Sequence, residues 1–99
     1  MIDFGRMEGF DWDSGNARKN ERHGVTQAEA EQAFFDRRLK QALDPGHSVN
    51  EPRYHALGCT AAGRLLHVTF TLRLEGTRIR VISARNASRK ERVIYEQKS

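Results

Sequence analysis

LLHVTFTLRLEGTRIRVISA, residues 65–84, holds two alternating segments separated by a turn. Period-two spacing places Leu66, Val68, Phe70, Leu72, Ile79 and Val81 on one face, as in half-buried strands. His67, Thr69, Thr71, Arg73, Arg78 and Arg80 take the other face. A hairpin closed by Leu74-Glu75-Gly76-Thr77 sets Leu72 opposite Ile79 and Phe70 opposite Val81, so the apolar faces agree and the register is supported. The same register puts Arg73 directly opposite Arg78. Like charges facing one another across a strand pair destabilise it, so a sheet of this design expects an anion, and a polyanion first.

Elements before and after this hairpin follow from caps and turns. Asp13 can cap a helix over Ser14 to Arg22 that stops at Gly24. Thr26-Gln27-Ala28-Glu29 is a capping box ahead of Ala30, Ala33 and Phe34, whose spacing predicts an amphipathic helix ending near Phe35. Arg37 to Leu43 reads as an edge strand, and Asp44 to Asn50 has turn chemistry throughout. A further strand is expected at Arg53 to Cys59, joined to the hairpin by the turn at Thr60 to Arg64. Ser88-Arg89-Lys90-Glu91 is a second capping box and opens a closing helix to about Gln97. The expected fold is α+β: two N-terminal helices, an antiparallel meander and a C-terminal helix. The 99 residues make a single domain over residues 1–99, with residues 1–9 expected to be flexible and Met7 a second possible start.

Net charge is +4, and much of the basic charge is local. From Arg78 to Arg92 there are six Arg or Lys and one acid, Glu91, which suits a nucleic-acid footprint. The single cysteine, Cys59, excludes an internal disulfide and a multi-thiolate zinc site, and reads as a small hydrophobe at a strand end. No run reaches transmembrane length and no signal-peptide pattern opens the chain, so a reducing cytoplasm is the expected compartment and no membrane partner is expected.

There is no HExxH, no Cys-x-x-Cys and no Gly-rich phosphate loop. His47 and His55 lie in or near one loop but lack recognisable ligand spacing, so neither metal nor cofactor is expected. His67 reads as a surface histidine on the polar strand face, and His23 as a residue favoured by a helix C-terminus. Metal-free RNA cleavage needs a base for the 2′-hydroxyl, cations for the phosphorane and an acid for the leaving 5′-oxygen. The chain offers Lys19, Arg22 and His23 on the first helix, Glu51 and Arg53 at the loop-to-strand junction, Arg73, Arg78 and Arg80 on the hairpin, and Arg85 and Arg89 before the last helix.

Several blocks together carry a resemblance. Phe10-Asp11-Trp12-Asp13, Arg22-His23-Gly24-Val25, Glu51-Pro52-Arg53-Tyr54, Gly63-Arg64-Leu65-Leu66, Val68 to Arg73, Ile79 to Arg85, and Ala87, Arg89, Glu91-Arg92 and Tyr95 resemble the BrnT toxins of bacterial type II toxin-antitoxin systems, over residues 10 to 95. The resemblance implies a RelE-like fold and a ribonuclease toxin acting on RNA. It also implies a BrnA-like antitoxin as partner, with operator DNA bound only through the toxin-antitoxin complex. Where relatives often carry Lys-His-Gly this chain has Arg22-His23-Gly24, which keeps the charge and removes an amine that could titrate. On this reading Arg73, Arg80 and Arg85 stabilise phosphate and transition-state charge. His23 or Glu51 transfers protons, and Lys19, Arg22, Arg53, Arg78 and Arg89 hold RNA. A non-catalytic module whose basic sheet face binds RNA or protein is the alternative.

Overall fold

The computed structural model describes residues 2–47 and 51–97; residues 48–50 of the expected loop and the side chain of His47 lie outside it. In chain order the elements are β1 (Gly9–Phe10), α1 (Ser14–Glu21), α2 (Gln27–Ala33), β2 (Lys40–Asp44), β3 (Arg53–Cys59), β4 (Leu65–Arg73), β5 (Arg78–Asn86) and α3 (Arg89–Glu96), with short 3-10 turns at Phe4–Arg6 and Pro45–His47. The fold is α+β. The sheet order is β1-β5-β4-β3-β2.

Strands β2 to β5 form the expected meander, with Leu72 opposite Ile79, Phe70 opposite Val81 and Arg73 opposite Arg78. Two features depart from expectation. The sheet is mixed, because β1 pairs parallel to β5 through Gly9 with Arg78 and Phe10 with Ile79. Bonds from Glu8 N–H to Thr77 O (2.7 Å) and from Asp11 N–H to Ile79 O (2.8 Å) extend this pairing. It brings Phe10 to 5.7 Å from Phe34, while Phe4, in the segment expected to be flexible, lies 5.4 Å from Phe34 and 6.0 Å from Phe70. The edge strand also starts later, at Lys40, because the Asp36 carboxylate accepts the Arg38 N–H (2.9 Å) and turns the chain first.

A bulge interrupts the β4–β5 register: Thr69 faces Ser83 while Phe70 faces Val81, leaving Ile82 as the extra residue. Unbroken alternation from Ile79 and Val81 would carry Ser83 and Arg85 onto the apolar face. With the bulge, Ala84 is buried among the core residues and Arg85 stands opposite His67.

One core fills the apolar face, where α2 contributes Ala30, Ala33 and Phe34 against Leu66, Val68, Phe70, Ile79 and Val81. The C-terminal end of α2 sits so close to β3 that a Cβ on Gly58 would lie 2.2 Å from Ala33 O. Helix α1 has a different task. Its Asp13 cap and Asn16 close a capping box, and it then lies along β5, where the buried Asn16 donates from Nδ2 to Val81 O (2.9 Å). Buried Asn20 accepts the Ala84 N–H on Oδ1 (2.8 Å). These side chains satisfy backbone groups of β5 beyond the end of β1.

Helix α3 packs on the opposite face through Tyr95, which joins Leu57 and Leu65 in a second, smaller cluster with half-buried Cys59. The Tyr95 hydroxyl donates to the Asp36 carboxylate, and burial with that contact raises its pKa. Arg38 lies over the ring, 5.3 Å from its centroid. Lys40 closes the helix, donating from Nζ to Ile94 O (2.7 Å) and to Gln97 O, as a cation at a helix C-terminus should.

Candidate active site

Because α3 covers the Leu57–Leu65 end of the second face, His55, Thr69, Arg73 and Arg80 beyond it remain partly accessible. Each of the three arginines expected to bind phosphate holds a carboxylate here. Arg73 pairs with Glu51, both partly exposed. Arg80 pairs with Asp13 (2.9 Å) and Asp11 (3.5 Å). Arg85 makes a bidentate pair with Glu91 at 2.8 and 2.9 Å. That pair holds the Glu91 carboxyl at about 2, well below its ordinary 4.5, the Arg85 hydrogen bonds being the largest cause and the Ser88 N–H another. Asp13 is likewise lowered, first by the Asn16 N–H and then by Arg80.

The opposition of Arg73 and Arg78 is thus relieved within the chain. Glu51 neutralises Arg73, and the Arg78 guanidinium turns toward β1, where a Cβ on Gly9 would lie 3.3 Å from Nη1. Carboxylates from the N-terminal segment, from the approach to β3 and from α3 thus neutralise all three arginines. All three pairs are partly open to solvent, so a phosphodiester can compete for the guanidinium forks.

The structure brings Glu51, Arg73, Arg80 and Arg85 onto this face, with Arg53 at the start of β3 opposite Asp44. It does not gather the α1 residues there: Lys19, Arg22 and His23 are exposed on and just after the helix that lines the β5 edge. The His23 N–H donates to Asn20 O, and no contact among the described residues joins its ring to the arginines. Arg89 is exposed in the first turn of α3.

Two histidines on this face complete a cluster not anticipated in the sequence. The His55 and His67 rings lie 4.8 Å apart, tilted by 30°. His55 Nε2 is 2.9 Å from Asp44 Oδ2, and its Nδ1 is 3.2 Å from Thr69 Oγ1. His67 Nε2 is 3.8 Å from Glu91 Oε2. Burial lowers the His67 pKa below its ordinary value, Arg85 and His55 act in the same sense, and Glu91 opposes them. A cavity of about 320 Å³ opens beside the pair, walled by Lys40, Ala42, Leu57 and Ile94. The signal was available: pairing Cys59 with Leu65 across the Thr60–Arg64 turn sets His55 opposite Thr69 and Leu57 opposite His67, making the histidines diagonal neighbours.

Among the described residues, no group of three or more His, Cys, Asp or Glu is placed to hold a metal ion, and no helix is long and apolar enough to cross a membrane. A family model described as the ribonuclease toxin, BrnT, of type II toxin-antitoxin systems matches residues 12–91. No curated protein matches the chain.

Proposed function

We propose, from the premise that this chain belongs to the BrnT family of ribonuclease toxins of type II toxin-antitoxin systems, that it is a metal-independent endoribonuclease of the cytoplasm whose active face is the open side of its sheet. The observation that carries this reading is the set of three arginines, Arg73, Arg80 and Arg85, each already holding a carboxylate on or beside one face. Those carboxylates mark positions for phosphate oxygens, and guanidinium forks there can stabilise the charge that grows on a pentacoordinate phosphorus. Arg53 lies beside them to position the strand.

In this reading the 2′-hydroxyl of the substrate is the nucleophile. The P–O2′ bond forms, the P–O5′ bond breaks, and the products are a 2′,3′-cyclic phosphate and a 5′-hydroxyl. The antitoxin is a BrnA-like protein encoded beside the toxin, and the layers of helices on the sheet are of the RelE type.

Two measurements test the reading. Expression of the chain alone should arrest bacterial growth, and co-expression of the adjacent small gene should restore it; unimpaired growth with abundant folded protein counts against a toxin. In vitro, an RNA with a single 2′-deoxy substitution at the cut site should resist cleavage in excess EDTA while its all-ribo counterpart is cut. Cutting of the deoxy strand, or inhibition by EDTA with rescue by a divalent ion, refutes the metal-independent route.

A further inference from the structure

The face that carries the arginines also carries a histidine whose two ring nitrogens are both engaged, one by a carboxylate and one by a hydroxyl. Asp44 Oδ2 lies 2.9 Å from His55 Nε2, and the other carboxylate oxygen, Oδ1, accepts the Gly46 N–H at 3.1 Å. The carboxylate is therefore fixed from both sides at the end of β2. A carboxylate accepts and does not donate, so in the neutral ring this contact calls for the proton on Nε2 and leaves the lone pair on Nδ1. Thr69 Oγ1 stands 3.2 Å from that lone pair, directly across from His55 in the β3–β4 ladder. A hydroxyl oxygen is thereby held where a donor to Nδ1 belongs.

Resting on the ribonuclease reading above, we infer that His55 is the catalytic base of this enzyme, with Asp44 and Thr69 as its positioning residues. The substrate 2′-hydroxyl takes over the place of the Thr69 hydroxyl at Nδ1. As O2′ attacks phosphorus its proton passes to Nδ1, and the Asp44 carboxylate stabilises the imidazolium that results. The P–O5′ bond breaks, the leaving oxygen takes a proton from solvent water, and the imidazolium returns its own proton to solvent. No net proton or electron is consumed.

The surroundings suit an imidazole that must gain and lose charge. On β4, the His67 ring lies tilted beside that of His55, and its burial favours the neutral form, which spares the new imidazolium a like charge at 4.8 Å. Behind His67, Glu91 of α3 and Arg85 of β5 neutralise one another through their bidentate pair. Arg85 faces His67, and β5 lies two strand spacings from β3, roughly 10 Å at the backbone, within the span of an arginine side chain and one phosphate. The His55 side chain is 35 % exposed, so a substrate can reach it.

The test compares the parent with His55→Gln and Asp44→Asn in single-turnover cleavage of an all-ribo RNA across pH 5–9, with binding measured on the 2′-deoxy strand. His55→Gln should lower kcat by about a hundredfold or more, the usual contribution of a positioned base. It should also abolish the fall in kcat toward low pH, and leave deoxy-strand binding within about twofold, a smaller change than loss of a phosphate contact gives. Asp44→Asn keeps the imidazole but should lower kcat and displace the acid limb. A His55→Gln protein that cuts at the parental rate with the parental pH profile overturns the inference while leaving the ribonuclease reading standing. A parent that cuts no RNA overturns both. If His55→Gln no longer melts cooperatively, Asp44→Asn decides alone, and an unchanged kcat and acid limb in that variant overturns the assignment.

Discussion

Glu91→Gln removes one negative charge while keeping a carbonyl that can still accept from Arg85 and from the Ser88 N–H. The carboxyl lies at about 2 in the folded protein against an ordinary 4.5. At about 1.4 kcal/mol per pH unit that gap corresponds to ~3 kcal/mol favouring the folded state as an upper bound. The Glu91 side chain is 20 % exposed and Arg85 43 % exposed, so solvent screening reduces the expected difference to about 2 kcal/mol at pH 7. For a domain of this size that lowers Tm by about 10 °C. The sign follows from the direction of the shift. A carboxyl depressed by folding contributes stability fully above 4.5, and the contribution disappears as pH falls from there through about 2. Urea denaturation of parent and variant should therefore show the full difference at neutral pH, with the two curves converging below 4.5, followed to the lowest pH at which both still fold. A difference under ~0.5 kcal/mol at pH 7, no more than an exposed ion pair commonly contributes, would contradict this role for the Arg85–Glu91 pair, as would one that persists unchanged as the solution is acidified.

Arg73→Ala should slow RNA cleavage about a hundredfold, as loss of one stabiliser of transition-state charge does, while its partly exposed pair with Glu51 contributes only ~1 kcal/mol or less to folding; parental rates in a gel assay would place phosphate binding elsewhere. Gly58→Ala forces a Cβ to within 2.2 Å of the Ala33 carbonyl oxygen, and should destabilise by about 3 kcal/mol as α2 is pushed from the sheet; an unchanged urea midpoint would contradict that packing. Asn20→Ala leaves the buried Ala84 N–H without its acceptor and should cost about 1–3 kcal/mol. Hydrogen exchange at Ala84 should accelerate more than at Phe70, and equal protection in parent and variant would argue against the contact.

Much of the architecture was legible because its signals are local. The hairpin register followed from period-two alternation and a four-residue turn, and Asp13, Thr26 and Ser88 each announced a helix that the structure contains. The parallel β1 contact escaped because it is two residues long and joins segments nearly 70 positions apart, too short for any periodicity to register. The bulge at Ile82 escaped because ISAR reads equally well as continued alternation, and only the burial of Ala84 reveals the extra residue. In the candidate site, Arg73 and Arg80 could be placed because strand parity fixes their face. His55 and His67 could not be paired from either strand alone, since their contact depends on registering β3 against β4. His23 illustrates the converse: chemical type and a neighbouring glycine single out a residue that the structure leaves exposed just past the end of α1.

The two asparagines on α1 bear on how copies of this protein can meet. Unlimited polymerisation through sheets requires each monomer to offer two pairing borders, one to receive and one to extend. Here Asn16 and Asn20 take the place of a neighbouring strand at Val81 and Ala84, and β1 masks the start of the same border. Among the described residues, β2 is the longer free border, five residues against the two of β1. Joining two such molecules through β2 consumes that border in both and leaves only the short β1 border for further growth. A pair of amide side chains thereby shortens the second border without adding any repulsive charge.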